Sequence, residues 1–520
     1  MEQISCNSLK LKAYLIYFVL SVLSCIGNAT AQQYKGNHWC FGDSAGIDWI
    51  SPQSPSFFTT ASKGRGGTVS ISDSAGNLIM YAYGKALSQK RTCATNKYHE
   101  LMQNGDSIYS EELYHELLLL PLPKSDSLLY LFSIGIVGIV PYGLHYSIIN
   151  HKANNDSGIV VQKNIQLNNL PAFDGLTAAR HGNGRDWWLI FKHYVAPPSL
   201  VYNNDFYVYL LDSSGVSGPL IQSIGTLHID GGGQLLFNQS GLEAILVTWN
   251  GVIEKYDFDR CTGQFTNFVN IEPYQWPGII PVYASCALSQ DETKLYVSSF
   301  SQNSTLTSVD TLYQFDLTAS NIAASKTVLY YMPNRNIGMG SLRRAPDNKI
   351  YLASTFENYY PYKDTSYNVY NTNLSVINQP DSLGLACDFQ PFSFYLGGAR
   401  TYYGLPNNPD YELGAWVGSP CDTLTVGLSP GPSPEERGAW MQAWYNGEWN
   451  MIHVNASKLK GKSGVLSLFD LQGRLVYERK VEVIPGGFLT GEIPLEGVAK
   501  GMYIVNLSTE KEYLSGKVMK

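Results

Sequence analysis

One short unit, turn-forming polar residues followed by four or five largely apolar ones, recurs along residues 72–356. It reads SDSAGNLIMYAY (Ser72–Tyr83), KSDSLLYLFS (Lys124–Ser133), GNGRDWWLIF (Gly182–Phe191), NQSGLEAILVTW (Asn238–Trp249), SQDETKLYVSSF (Ser289–Phe300) and APDNKIYLASTF (Ala345–Phe356). The residues just before the apolar runs, Asn77, Ser127, Asp186, Glu243, Lys294 and Lys349, lie 50 to 59 positions apart. A repeat of that length has room for a four-stranded blade, and further strands such as those in VIEKYDFDRCTG (Val252–Gly263) and DTLYQFDLTA (Asp310–Ala319) lie between the marks. The expected fold is therefore all-β, a β-propeller of six or seven blades, with residues 388–407 supplying the last unit. NHWCFGDSAGIDWI (Asn37–Ile50) is placed beside the last blade, because closing the ring protects strand edges. A two-sheet sandwich or a β-helix is the alternative arrangement of the same strands.

Composition agrees with β structure: 36 Tyr, 20 Phe, 10 Trp and 48 Gly, with no long charged helical runs. At the N-terminus, Lys10 and Lys12 precede the apolar run Ala13–Gly27, and Ala29 and Ala31 stand at the alternate positions a signal peptidase reads. Residues 1–31 are expected to be a removable export signal. The run is shorter than the roughly twenty residues a spanning helix needs, and nothing comparable follows it, so no membrane span is expected. Cleavage removes one acidic and two basic residues and takes the formal charge from −7 to −8. With 15% charged residues and an acidic balance, the chain has no basic footprint for nucleic acid.

Six cysteines follow the expected cleavage point: Cys40, Cys93, Cys261, Cys286, Cys387 and Cys421. An oxidising compartment permits disulfides, and the expected pair is Cys261 with Cys286, both near predicted strands of one repeat. Two ordinary buried thiols are the other reading. No Cys/His spacing suits zinc, and no metal site is expected.

Pro, Gly and Ser dominate LSPGPSPEERG (Leu428–Gly438), which marks a boundary. The propeller is expected over 32–407, a linker over 408–438, and a small C-terminal β-sandwich over 439–520. In this last part WMQAWYNGEWNMIHV (Trp440–Val454) carries Asn446-Gly447 as a hairpin turn. In GVLSLFDLQGRLVYERK (Gly464–Lys480) the first strand has apolar residues on both faces and the second reads as half-exposed.

Residues 464–520 resemble the type A C-terminal sorting domain of the type IX secretion system, found in Bacteroidota. The resemblance rests on FDLQGRLV (Phe469–Val476), KGMYIV (Lys500–Val505) and the terminal GKVMK (Gly516–Lys520), with Asp470, Gly473, Arg474, Lys500, Gly501 and Tyr503 as its motif residues. It implies the type IX machinery as a partner and a secreted or cell-surface, outer-membrane-associated protein. One departure is that LSPGPSPEERGAW (Leu428–Trp440) stands where the family usually carries a Pro-Asn-Pro motif. Residues 37–407 also look like secreted propeller-like proteins found before such tails. That impression rests on NHWCFGDSAGIDW, SISDSAGNLIMYAYG, LMQNGDSI, GLHYSIIN, DFDRCTGQF and LSQDETKLYVSS, and it implies a fold and no reaction.

The search for chemistry gives single candidates. Gly-x-Ser-x-Gly occurs around Ser44 and Ser429, but neither has the strand–turn–helix setting of a nucleophile elbow. His181 precedes the DWWLI strand, and His228 and Asp230 stand beside three glycines. Asp257, Asp259 and the Gln290–Glu292 turn offer oxygen donors that turn formation also explains. FENYYPYKDTSYNVYN (Phe356–Asn371) carries tyrosines able to stack on sugars or anchor a protein. No catalytic residue or cofactor is assigned. The expected function is non-enzymatic recognition of a glycan or protein outside the cell. The alternative is an extracellular hydrolase or lyase, which carboxylates and histidines converging from several blades at the channel would favour.

Overall fold

The computed structural model describes residues 35–84, 92–110, 113–137, 140–172, 174–193, 202–228, 232–274, 282–300, 310–356, 366–422, 439–446, 450–470, 473–484 and 487–520. The expected signal segment, Ser429, Asp230 and Gly447 lie outside them.

Among the described residues seven antiparallel sheets follow one another in chain order, five of four strands and two of three, and they form the blades of a seven-bladed propeller. In blades 2 to 7 the inner strands are Thr68–Ser72, Leu117–Pro121, Thr177–Arg180, Gly233–Phe237, Val282–Leu288 and Ile337–Arg344. The six repeated apolar runs are the second strands of these blades: Leu78–Gly84, Leu128–Val137, Trp187–Lys192, Glu243–Thr248, Lys294–Phe300 and Ile350–Phe356. They read as continuous apolar runs because a neighbouring blade covers each face. Along Glu243–Thr248, Ala244 and Leu246 join a core with Ile190, Phe206 and Val208 of blade 4. The alternate residues Ile245 and Val247 join Tyr283, Leu295 and Val297 of blade 6. Asx-type bonds shape turns before these runs: Asp73 Oδ1 accepts from the Ala75 and Asn77 N–H groups (2.9 and 2.8 Å), and Asn183 Oδ1 accepts from Arg185 and Asp186 (2.9 and 3.0 Å), while Ser125 Oγ does the same for Ser127 and Leu128 in blade 3.

Blade 1 departs from this plan. Its sheet holds His38–Phe41, Asp43–Asp48 and Ser56–Lys63. His38–Phe41 runs against the inner strand of blade 2, since Ser70 Oγ donates to His38 O (2.5 Å) and Ser72 N to Lys35 O (2.9 Å). It therefore takes a second-strand position, and the inner place is filled from the other end of the chain. Residues 401–408 lie between blades 7 and 2: Ser341 N donates to Tyr403 O (2.7 Å), Gly404 N to Arg65 O (2.9 Å) and Asn407 N to Thr68 O (2.7 Å). On the blade 2 side partner numbers rise together, 404 with 65 and 407 with 68, so this segment runs parallel to the inner strand there. The approach is close enough to require glycine, since a Cβ on Gly404 would sit 1.7 Å from Gly66 O and one on Gly340 2.1 Å from Tyr403 O. Around it the blade 1 residues Trp39, Phe41, Ile47 and Trp49 pack with Leu405 and with Tyr351, Leu374 and Val376 of blade 7.

Past residue 408 the chain crosses the face where the inner strands end. Tyr411 Oη donates to Leu119 O (2.8 Å), Arg180 Nη2 to Tyr411 O (2.8 Å), and Trp416 N to Gly182 O (2.8 Å). The crossing ends at a disulfide between Cys261 and Cys421. Two sequence expectations are corrected here. Cys261 does not pair with Cys286, because Cys286 is a buried free thiol inside the inner strand of blade 6, whereas Cys261 sits in the turn after the third strand of blade 5. Propeller packing also continues through Cys421 rather than stopping at 407, so residues 408–422 belong to the ring and not to a linker.

The C-terminal unit is a two-sheet sandwich. One sheet holds Trp440–Asn446, Met451–Ser457 and Leu489–Pro494. The other, in spatial order, holds Leu475–Glu482, Ser463–Asp470, Met502–Thr509 and Tyr513–Met519. Ile452, Val454 and Ile493 of the first sheet meet Leu466, Leu468, Val505 and Leu507 of the second in a common core. Leu475–Glu482 is an edge strand and half-exposed, as its alternation indicates. No helix among the described residues is long and apolar enough to cross a membrane.

The Cys261–Cys421 bond closes a separation of 160 residues. Cys421→Ser is expected to lower the unfolding free energy by about 2–4 kcal/mol, read from non-reducing urea denaturation. An unchanged midpoint would show that the crossing segment is held by its hydrogen bonds alone.

Candidate functional site

Ring closure creates a cleft where blade 1 meets blade 7. The hairpin between the first two strands of blade 1 turns at Gly42 and Ser44, both with left-handed backbone (φ 56° and 68°). A Cβ at Gly42 would lie 2.2 Å from Arg400 O, so the chain entering the closing segment passes directly over this turn. Asp43 and Arg400 form an antiparallel bridge through their backbones (Asp43 N to Arg400 O 2.6 Å, Arg400 N to Asp43 O 3.2 Å). Their side chains pair as well, Arg400 Nη2 donating to Asp43 Oδ2 at 2.9 Å.

Asp43 is the hub of the cleft. Lys63 Nζ donates to its Oδ1, Tyr367 Oη to its Oδ2 (2.9 Å), and Ser44 Oγ to its Oδ1 (3.2 Å). Burial alone raises the Asp43 pKa. The hydrogen bonds from Lys63 and Tyr367 and the charges of Lys63 and Arg400 outweigh it and hold the carboxyl below its ordinary value. The Tyr367 phenol is shifted up by burial and by its bond to Asp43. Arg400 lies 4.4 Å from the centroid of the Tyr367 ring, a cation–π contact, while the tyrosine remains 55% exposed. Phe57, Phe58, Thr59 and Leu396–Ala399 complete a cavity of about 300 Å³, with Phe57 also solvent-exposed.

The cleft thus joins two features singled out separately in sequence, Ser44 and the tyrosine-rich stretch. Ser44 is not a nucleophile in an elbow: strands flank it on both sides, and Lys63 Nζ and Asp43 occupy its hydroxyl (3.2 Å each). Asp43, Lys63, Arg400 and Phe57 carried no sequence signal of their own beyond the glycines beside Asp43 and Arg400.

The other candidates stay apart. His181 Nδ1 accepts from Asn183 N (3.0 Å) inside the turn before the second strand of blade 4, and burial lowers its pKa. His228 is buried with Nδ1 2.8 Å from Thr226 O, beside Gly232, where a Cβ would meet Trp249 at 2.7 Å. Asp259 Oδ1 caps the Cys261 and Thr262 N–H groups (2.7 and 3.1 Å), and Asp257 Oδ2 accepts from Asn267 (2.9 Å). Asp291 Oδ1 accepts from Ser289 Oγ (2.7 Å) and Thr293 N (3.0 Å). Among the described residues no three His, Cys, Asp or Glu side chains converge to hold a metal. The free thiols Cys40, Cys93, Cys286 and Cys387 are buried, and burial raises the pKa of Cys40, Cys286 and Cys387.

Where the inner strands begin, titratable groups from three blades do gather: Arg65, His115, Glu116 and Asp174, all buried. Asp174 faces His115, with Oδ2 3.5 Å from Nδ1 and Oδ1 accepting the His115 N–H. The Asp174 side chain has no exposed surface and that of His115 only 5%; Asp174 Oδ1 joins blade 4 to the blade 3 backbone, while His115 Nδ1 and Asp174 Oδ2 are buried without a hydrogen bond.

In the sandwich, Asp470, Gly473 and Arg474 form one hairpin turn. Gly473 supplies a φ of 77°, Gly473 N donates to Asp470 O (3.0 Å), and Arg474 Nε reaches Asp470 Oδ2 (2.7 Å). Gly501 O accepts from the Lys520 N–H (2.9 Å), Lys500 is exposed, and Tyr503 is buried with its hydroxyl on Ala499 O (2.7 Å).

Seven blades and a terminal sandwich define an all-β propeller protein with a separate C-terminal domain. Residues 448–520 match the family described as the secretion system C-terminal sorting domain, which makes this a β-propeller protein of the type IX secretion route, secreted or at the cell surface. No curated protein matches the chain. Among solved structures, the Dos1 propeller is similar at 12% identity over 63% of this chain and 70% of its own (TM-score 0.39). A quinonprotein alcohol dehydrogenase-like protein from Bacteroides thetaiotaomicron is similar at 10% identity over 71% and 78% (TM-score 0.37). The luciferin-regenerating enzyme is similar at 8% over 65% and 95% (TM-score 0.36). These values carry no inference about activity.

Asp43→Asn is expected to destabilise the ring by about 3 kcal/mol at pH 7, because it leaves buried Arg400 without its counter-charge. Because the folded pKa is depressed, the Asp43 contribution is full above the unfolded value near 3.9 and is lost as pH falls through the folded one. Urea midpoints of wild type and variant should therefore converge in acid and separate at neutral pH. Deleting 439–520 is expected to abolish export in a type IX-competent host, measured by fractionation. Undiminished secretion would contradict the sorting role.

Proposed function

We propose that the protein is a non-enzymatic recognition protein that binds glycan outside the cell through the cleft at the blade 1–blade 7 seam. The exposed ring of Tyr367, fixed through its hydroxyl to the Asp43 carboxylate, carries this reading. A sugar presents an apolar face of C–H groups and a rim of hydroxyls. Tyr367 and Phe57 offer exposed aromatic surface for the first, and the exposed Lys63 ammonium beside them offers donors for the second. The hydroxyl bond and the Arg400 contact hold Tyr367 before binding, which reduces the ordering cost of association.

The same geometry argues against hydrolysis in the cleft. Glycoside hydrolysis ordinarily uses two carboxyl groups, one of them protonated, about 5–9.5 Å apart. Asp43 is the one carboxylate among the described residues lining this cavity, and its cationic neighbours hold it below its ordinary pKa. We further propose that the export machinery reads the Asp470–Arg474 turn and Lys500, since the Arg474 side chain is 78% exposed while the rest of the motif serves the sandwich core.

Tyr367→Ala is expected to weaken oligosaccharide binding at least tenfold, or about 1.4 kcal/mol, in calorimetric titration with the glycans that score on an array. Tyr367→Phe should retain stacking and lose less. Equal affinity of Tyr367→Ala and wild type would remove the cleft as the glycan site.

A further inference from the structure

A second cavity, of about 360 Å³, opens on the axis at the face where the inner strands end, with the crossing segment as one wall. Six charged side chains are among the described residues lining it: Arg180, Arg343, Arg344, Glu292, Asp410 and Glu412. Three are cationic and three anionic; Asp410 and Glu412 act on Arg180, and Glu292 and Asp410 on Arg344, through space, yet no opposite pair of the six comes within 4 Å. Elsewhere comparably enclosed charges do pair, as in Arg400–Asp43 (2.9 Å), Arg185–Asp186 (2.9 Å) and Lys326–Glu272 (2.9 Å). Asp410 is solvent-exposed, but Glu412 Oε2 is buried without a hydrogen bond, and keeping it apart from the arginines forgoes interaction energy unless something else completes it.

The hydrogen bonds show which groups remain to be completed. Arg180 donates to Arg185 O (3.1 Å) and Tyr411 O (2.8 Å), and Arg343 to Pro406 O (2.6 Å) and Asn408 O (3.2 Å). These two guanidinium groups are fixed by the crossing segment and the turn beside it, and they leave a positive field at the cavity wall. Arg344 spends only Nη1, on Ser289 O (2.9 Å), so its remaining N–H groups have no acceptor among the described residues. On the anionic side, Asp410 Oδ1 takes the Glu412 N–H (2.9 Å) and Glu412 Oε1 takes the Lys35 N–H (3.0 Å). Among the described residues nothing donates to exposed Asp410 Oδ2 or to buried Glu412 Oε2.

We infer that this axial cavity binds a small zwitterion, a free amino acid or short peptide, with its carboxylate on Arg344 and its ammonium on Asp410 and Glu412. A purely anionic or cationic ligand would meet like charge as closely as opposite charge. A zwitterion satisfies both sets by charge-assisted hydrogen bonds, which are about twice as strong as neutral ones. The site is separate from the seam cleft and does not depend on the glycan reading.

The test is calorimetric titration of the mature full chain with L-alanyl-L-alanine, with its N-acetyl derivative, with its C-terminal amide, and with maltose. The dipeptide should bind saturably and weaken with added salt, and each blocked form should bind at least tenfold more weakly. Asp410→Asn, at an exposed position, and Arg344→Gln should each reduce dipeptide affinity about tenfold, while Tyr367→Ala leaves it unchanged. No dipeptide binding at millimolar concentration, equal binding of the blocked forms, or binding of maltose alone would each overturn the inference. Unfolding midpoints of both variants matching wild type separate loss of binding from loss of fold.

Discussion

Everything in this molecule depends on how the propeller ring is closed. Each blade buries two apolar faces, so the first and last blades stay incomplete until they meet, and closure must recover the entropy of joining distant ends of the chain. That meeting is made by residues 401–408, which enter the inner place of blade 1 and hydrogen-bond to blades 7 and 2 at once. Asp43 and Arg400, 357 positions apart, lock it with paired backbones and paired side chains. The seam cleft and the axial cavity both exist because of this arrangement: one lies beside the lock, and the other is walled by the chain that continues from it.

The blades were legible because their strongest sequence signal has a single physical origin. A second strand covered on both faces, such as Glu243–Thr248, must be apolar at successive positions, and the turn before it must supply Asx-type hydrogen bonds, as Asn183 and Asp73 do. Blade 1 was only partly legible. Trp39 and Trp49 mark it as a place where blades pack, but its inner strand lies at the opposite end of the chain. The closing segment shows no alternation, because its hydrogen-bond partners are inner-strand backbone groups on two different blades rather than one paired strand. Asn407 shows this clearly, with Nδ2 reaching both Leu117 O and Leu176 O at 2.9 Å. Residues 388–407 read as a last blade unit and the chain beyond them as a linker, which placed the propeller boundary at 407 and hid the partner of Cys261.

The candidate sites were legible residue by residue and illegible as sites. Ser44 drew notice through its flanking glycines, which serve the tight turn under Arg400 and not a nucleophile. Tyr367 drew notice as one tyrosine among several. What joins them is the Asp43 carboxylate, and an isolated aspartate in a glycine turn has no pattern to distinguish it. The charges of the axial cavity are harder still, since Arg180 and Arg343 on two blades and Glu412 on the crossing segment gain their meaning only from meeting around one axis.

Closure and export are joined by their order along the chain. The segment that completes the ring ends at Cys421, and the sorting sandwich follows it. A chain that stops before residue 400 lacks both the residues that complete blade 1 and the domain that addresses the protein for secretion. Every chain carrying the address therefore also carries the means of closure. The Cys261–Cys421 bond extends the same logic into an oxidising compartment, where it fixes the crossing segment over the axis and joins the end of the ring to blade 5, independently of the sandwich beyond it.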